Sequence, residues 1–292
     1  SGAQMSFLTI NNLSAHIGKR KILRDVSLSV QAGEVCGLVG ESGAGKSMIG
    51  KAVLGTLPRA IIATGGEIIL DGENLQDLTP TQRRQVIGAK TALIPQDPLT
   101  ALNPSRRVGA QITNRLVDIL GWSKSAAQHR ALDLLGEVQI NDPERVMLCY
   151  PHELSGGMRQ RLLIAAAFAA EPRLIIADEP TTALDVTVQK QILRLIKEMQ
   201  NRYGTALLFV THDLGVVAKV CQSLLVLYEG MVLERTTVQD FFTGPLHPYS
   251  RALLETTPKY TDPTGSLTPI PPQILDAVRA EIVAYDQAHA HV

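Results

Sequence analysis

The chain has 292 residues, 45% of them hydrophobic, and its 28 basic and 28 acidic side chains cancel to a formal net charge of zero. That length and apolar content suffice for a sizeable core, which excludes a disordered segment and fits one large domain or one domain with an inserted part. The charge balance excludes the global basic field of a non-specific nucleic-acid binder, so no nucleic-acid partner is expected.

The four residues before Met5, SGAQ, read as a cloning remnant rather than a signal peptide, since no apolar stretch follows them. Over 7–35, FLTINNL and ILRDVSLSV read as short strands, with Leu23, Val26, Leu28 and Val30 partly alternating as in an antiparallel sheet. EVCGLVG (34–40) reads as a buried strand running into a glycine loop, followed by a helix from about Lys46 to Leu57 and a hairpin over GGEIILDGENL (65–75). From Pro98 to His152 the texture is helical and rich in Ala and Leu, an apparent insert. RLIIAD (173–178), TALLFVTH (205–212) and SLLVLYEG (223–230) are apolar strands separated by helices, the alternation of a parallel α/β sheet. The helix between the first two places Val188, Ile192, Leu195, Ile196, Met199 and Tyr203 on one face, read as core packing. TGPLHPYS (243–250) marks a boundary, and from Thr257 the Pro- and Thr-rich stretch reads as a wrapped or mobile tail. Cys36, Cys149 and Cys221 form no CxxC pair and read as small buried hydrophobes with reduced thiols, as in a cytosolic protein. The longest apolar run, Leu162 to Ala170, falls far short of the roughly 18 residues of a membrane span. Any membrane link must go through a partner.

GESGAGKS, comprising Gly40, Glu41, Ser42, Gly43, Ala44, Gly45, Lys46 and Ser47, fits the phosphate-loop pattern and lies where that pattern must lie, between a buried strand and a helix. The glycines let backbone amides wrap phosphates; Lys46 suits the β- and γ-phosphates, and Ser47 suits Mg²⁺. LIIADEP supplies Asp178 for the metal shell and Glu179 to orient and deprotonate an attacking water. His212, ending LLFVTH, is placed to contact the γ-phosphate, and Gln96, ending a strand in LIPQDP, to reach the metal or the water.

LSGGMRQRLLIAAAF (154–168) begins a second helix on poor helix formers, and a Ser-Gly-Gly start presents bare amides to an anion. One subunit is unsuited to aim two helix starts at one nucleotide. If two chains face each other head to tail, Ser155, Gly156 and Gly157 of one close on the γ-phosphate held by the other.

This ordered set resembles the ATP-binding subunits of ABC transporters: GESGAGKS as Walker A, Gln96 as Q-loop, LSGGM as signature, LIIADE as Walker B, Ala183 to Asp185 as D-loop and His212 as H-loop, covering most of residues 7–235. The resemblance implies an α/β fold: a P-loop NTPase, RecA-like core with an antiparallel β subdomain (5–97 and 159–245), an inserted helical subdomain carrying the signature (98–158) and a C-terminal extension (246–292). It implies ATP and Mg²⁺ as cofactors and transport-coupled ATP hydrolysis between two subunits. YPHELSGGMRQR (150–161), with Met158 after the signature glycines, and LHPYSRALL (246–254) are similar to the peptide and nickel import branch. Implied partners are a second ATPase subunit, a paralogue in preference to a second copy, two membrane permeases and an extracytoplasmic substrate-binding protein, with the chain peripheral on the cytoplasmic face of the inner membrane. The family's adenine-stacking aromatic is missing, because no Tyr, Phe or Trp lies between Leu8 and Lys46, which leaves His16 as the nearest candidate. The tail lacks the cysteine cluster of many peptide-importing relatives: it is of the nickel-importer kind, or the chain stops short. His289 and His291 are expected to be solvated rather than metal-bound.

Two other classes compete. A kinase or GTPase lacks a use for the second helix start, and no N-K-x-D guanine motif is present. A non-transport ATPase acting on a macromolecular partner is the remaining alternative, against which stand the single Walker A and the lack of a long coiled coil.

Overall fold

A strand flanked on both sides by parallel neighbours is buried on both faces and reads as an unbroken apolar run; all five residues of Val35–Val39 are buried. The structure, a computed structural model, describes residues 6–182, 184–257 and 269–289. In chain order the first elements are β1 (Ser6–Ile17), β2 (Arg20–Gln31), β3 (Val35–Val39), α1 (Lys46–Val53), β4 (Ile61–Leu70), β5 (Glu73–Asn74), α2 (Pro80–Lys90), β6 (Thr91–Ile94), α3 (Pro98–Ala101), α4 (Val108–Asp118), α5 (Lys124–Glu137) and α6 (Pro143–Leu148). They are followed by α7 (Gly156–Phe168), β7 (Leu174–Asp178), α8 (Val186–Tyr203), β8 (Ala206–Thr211), α9 (Leu214–Val220), β9 (Ser223–Tyr228), β10 (Met231–Thr237), α10 (Val238–Thr243), α11 (Pro248–Thr256) and α12 (Pro272–Ala288).

Among the described residues the strands form one ten-stranded sheet in the order β5-β4-β1-β2-β10-β9-β3-β8-β7-β6. One half, β5-β4-β1-β2, is antiparallel. In the other, β9, β3, β8, β7 and β6 run parallel, with β10 antiparallel beside β9. The halves meet at one pairing, Met231 with Arg24. Three apolar cores follow from this division. One joins α1 to the antiparallel half and one face of the parallel strands. A second packs α4, α5, α7 and α8 on the other face. A third seats α9 to α12 against β9 and β10.

Local chemistry explains the element ends. The first helix is shorter than expected, stopping at Val53, with Gly55 in a left-handed conformation two residues later. In α8, Asp185 caps the start by accepting from the Thr187 and Val188 amides, Gly204 closes the end, and Ile192, Leu195, Ile196 and Met199 are buried, with Val188 and Tyr203 partly so. The expected hairpin is present as β4 and β5, with β4 starting at Ile61.

The tail carries a helix that its composition did not announce. Most of the Pro- and Thr-rich stretch, 258–268, lies outside the described residues, and beyond it residues 272–288 form α12, because Ile274, Leu275, Val278 and Ile282 recur at helical spacing behind a proline at the helix start. His289, the residue that caps the end of the helix, is exposed, as a solvated histidine would be, and its ring stacks on Tyr285 at 4.1 Å. His291 lies outside the described residues.

The junction of the two halves is tight. Gly230 has φ +77°, and a Cβ there would lie 1.9 Å from the Ile22 carbonyl oxygen. Gly72, at φ +81°, has open space around it. Gly230→Ala is therefore expected to cost about 3 kcal/mol of unfolding free energy, and Gly72→Ala only about 1 kcal/mol for the dihedral alone, as read by chemical denaturation.

Candidate functional site

The loop between β3 and α1 ends on Gly45, whose left-handed conformation opens the helix with no side-chain cap. The first-turn amides are thus left to the cavity of about 420 Å³ that Ser42, Gly43, Gly45, Lys46 and Ser47 border. An adjoining cavity of about 500 Å³ is lined by Gly40, Glu41, Ser42, Gln96, Glu179 and His212, among others. The sheet is what gathers them: β3, β7 and β8 are parallel neighbours, so their C-terminal ends open on one edge.

Lys46 is buried and its ammonium donates to the Gly40 and Glu41 carbonyls at 2.7 and 2.8 Å, carbonyls that stand in for phosphate oxygens. Ser47 Oγ donates to Asp178 Oδ1 at 2.9 Å, bringing together a hydroxyl and a carboxylate of the kind that hard divalent cations take. Glu179 stands just past the strand with φ +45°, its amide donating to the Val210 carbonyl at 2.9 Å. That sparsely populated backbone conformation turns its carboxylate out of the sheet, where Thr182 Oγ1 donates to Oε2 at 2.9 Å and His212 Nδ1 lies 3.3 Å from the same oxygen. Thr182 has no counterpart in the sequence reading; a threonine three residues past the acid carries no signal until the turn brings it back.

Burial governs the charges. Desolvation pushes the Lys46 ammonium below the usual lysine range, against the pull of Glu179, Asp178 and Glu41. Desolvation likewise pushes the Asp178 carboxyl up, opposed by the Ser47 hydrogen bond and reinforced by Glu179. A cation and a triphosphate between these groups satisfy what the protein alone leaves undercompensated, so the residues fit both.

The second helix start also forms as read. Ser155 caps α7 by accepting from Met158 N at 3.3 Å. Ser155 and Gly156 are exposed, and Ser155, Gly156 and Gly157 line neither phosphate-loop cavity. Gly156 is helical, with no positive φ, and a Cβ on it would meet nothing within 4 Å. Nothing among the described residues requires glycine there.

His16 is a correction. It lines a separate cavity of about 420 Å³ with Lys21, Asp25, Tyr285 and His289, and its Nδ1 pairs with the Gly18 carbonyl at 2.8 Å. The apolar wall beside the phosphate loop comes instead from Ile22, Met48 and Ile61. Register is the reason: Ile17 pairs with Ile61 and shares its face, so its neighbour His16 faces the other way, and bulges in β1 after Asn11 and Ser14 set that phase.

Comparison with known proteins agrees with this geometry. Residues 23–182 match the family described as ABC transporter, and residues 233–281 match the family described as oligopeptide/dipeptide transporter, C-terminal region. The dipeptide transport ATP-binding protein DppD of Escherichia coli is 42% identical over 271 residues, 91% of this chain and 83% of that protein. The oligopeptide transport ATP-binding protein OppD of Bacillus subtilis is 46% identical over 242 residues, 82% of this chain and 68% of that protein. Among solved structures, the dimeric post-hydrolysis state of the ATP-binding cassette MJ0796 bound to ADP and Pi superposes with a TM-score of 0.70 at 26% identity, over 79% of this chain and 98% of that one.

Two outcomes are expected. Because the folded state favours protonated Asp178, the associated stability is present at low pH and lost as pH rises through the raised value, so the charged form costs stability at neutral pH. Asp178→Asn should raise the melting point of nucleotide-free protein by roughly 2 °C near neutrality, lose that gain in acid, and lose the further stabilisation by ATP with magnesium, all visible in thermal melts. His16→Ala should leave ATP affinity within about twofold of wild type, whereas Ile22→Asp should weaken it roughly tenfold in a binding titration, by placing a charge on the apolar wall.

Proposed function

Because the chain belongs to the ABC transporter family, we propose that it is the ATP-hydrolysing subunit of a peptide importer, working as one half of a head-to-tail ATPase dimer. Dipeptide and oligopeptide transport are what its relatives are named for, and this favours peptides over nickel as cargo.

Lys46 and the Gly40–Ser47 amides hold the phosphates, with the base against Ile22 and Ile61. Ser47, Asp178 and Gln96 hold Mg²⁺, which when bound neutralises charge on the phosphate oxygens. Glu179 orients the attacking water and accepts its proton, and His212 and Thr182 fix the Glu179 carboxylate. A bent backbone and two partners for one carboxylate are the arrangement of a group that must not drift.

The observation that carries the dimer is the exposed helix start. Gly156 is unneeded by its own fold, so its missing side chain serves something that approaches from outside. The phosphate of a second chain fits that opening, since the helix start favours an anion. The second chain is a paralogue in preference to a copy. No helix among the described residues is long and apolar enough to cross a membrane. Attachment to the cytoplasmic face of the membrane therefore runs through two permeases, supplied with cargo by an extracytoplasmic binding protein, and the helical segment 98–158 with the Gln96 loop relays closure to them.

The test uses the complex assembled with its permeases in liposomes. Glu179→Gln should retain ATP, give an ATP-dependent ATPase dimer on size-exclusion chromatography, and lower both hydrolysis and dipeptide uptake at least about 100-fold, the scale of a lost general base. Gly156→Asp should keep ATP affinity of the lone subunit but lose hydrolysis and uptake. Near-normal turnover of Glu179→Gln, or parallel losses of affinity and hydrolysis in Gly156→Asp, would overturn this reading.

A further inference from the structure

The C-terminal helices reach the phosphate loop from two directions. Asp286 of α12 accepts from Arg24 Nε at 3.0 Å and from Nη2 at 2.9 Å, while Arg24 Nη1 donates to the Glu229 carbonyl. The Arg24 amide donates to the Gly230 carbonyl at 2.8 Å, and the Gly230 amide donates to the Ala44 carbonyl at 2.8 Å. One guanidinium thus spans from a carboxylate of the last helix to the turn that abuts the phosphate loop. Its planar fork is what allows both at once.

From the other side, Tyr249 of α11 is fully buried, packed 5.1 Å from the Tyr228 ring and with its hydroxyl beside the Glu41 backbone. The start of α11 is fixed by Glu234, which accepts from the Leu246 and His247 amides at 2.9 and 3.0 Å. His247 lies 3.5 Å from Glu281 of α12, linking the two helices.

We propose that α11 and α12 brace the phosphate loop, with Arg24 and Asp286 as positioning residues that hold Ala44 through the Glu229–Gly230 turn and thereby set ATP affinity. This rests on Gly40–Ser47 being the nucleotide loop. An ordinary surface ion pair contributes little. Here the Arg24 side chain is only 8% exposed and the pair is bidentate, so removing Asp286 leaves a buried guanidinium half-paired and the turn free to shift. The loop holds phosphates in ground and transition states alike, so its loosening raises KM and leaves kcat.

The measurements are ATP affinity of the full chain, by titration with a fluorescent ATP analogue, and KM and kcat of the assembled complex. Asp286→Ala should raise Kd and KM about three- to tenfold with kcat within about twofold. Asp286→Glu should restore affinity by returning the carboxylate, whereas Arg24→Lys should not, since an ammonium cannot fork to both partners. If Asp286→Ala does not fold, Asp286→Asn removes the charge at equal size and is judged by the same values. A folded Asp286→Ala or Asp286→Asn variant with wild-type Kd and KM, or one altered only in melting temperature, overturns the brace. Wild-type protein that fails to bind ATP would instead overturn the nucleotide-loop reading beneath it.

Discussion

Two hydrogen bonds at Gly230 hold the molecule together where it matters: its carbonyl accepts from Arg24 and its amide donates to Ala44. The antiparallel half meets the parallel half at this point, through the Met231–Arg24 pairing, and the phosphate loop rests on the same turn. A side chain at 230 has no room against Ile22. Close backbone approach is therefore the condition for the two differently built halves of the sheet to meet beside the phosphate loop.

On the other edge of that site, charge rather than packing sets the terms. Lys46 and Asp178 are buried enough that desolvation disfavours the charged form of each. The loop meets part of that deficit with its own carbonyls, and Ser47 meets part of it at Asp178. An ATP-binding subunit has reason to leave the remainder open: a fully satisfied pocket would have to break its own bonds to take a triphosphate. Glu179 is handled differently, being fixed by backbone conformation and by Thr182 and His212. Under the proposed function, the groups that bind are left open for a ligand while the proposed general base is held in advance.

The exposed Ser155–Gly157 start and the braced loop belong to two levels of one device. The helix start faces outward, and in the proposed dimer it is completed by another chain. The brace faces inward, tying the loop to helices that follow the parallel sheet in the chain. A cassette that is closed by ATP needs a loop that does not yield when the partner presses on the phosphates.

What the amino-acid sequence determined by itself is what depends on near neighbours. GESGAGKS between an apolar strand and a helix, LIIADE, and the Ser-Gly-Gly helix start are read directly, since phosphate binding, metal binding and helix capping each require particular residues within a few positions. The buried face of α8 was legible for the same reason, as a 3.6-residue period. Tertiary structure decided the rest. His16 and Ile17 differ by one position, and only the bulged pairing of β1 with β4 decides that Ile17 shares a face with Ile61 while His16 turns toward Tyr285. The helical tail was masked by the Pro- and Thr-rich stretch before it. Arg24 and Asp286 are 262 residues apart; at that separation two opposite charges carry no signal of each other, because what brings them together is the packing of α12 on the third core rather than any local preference.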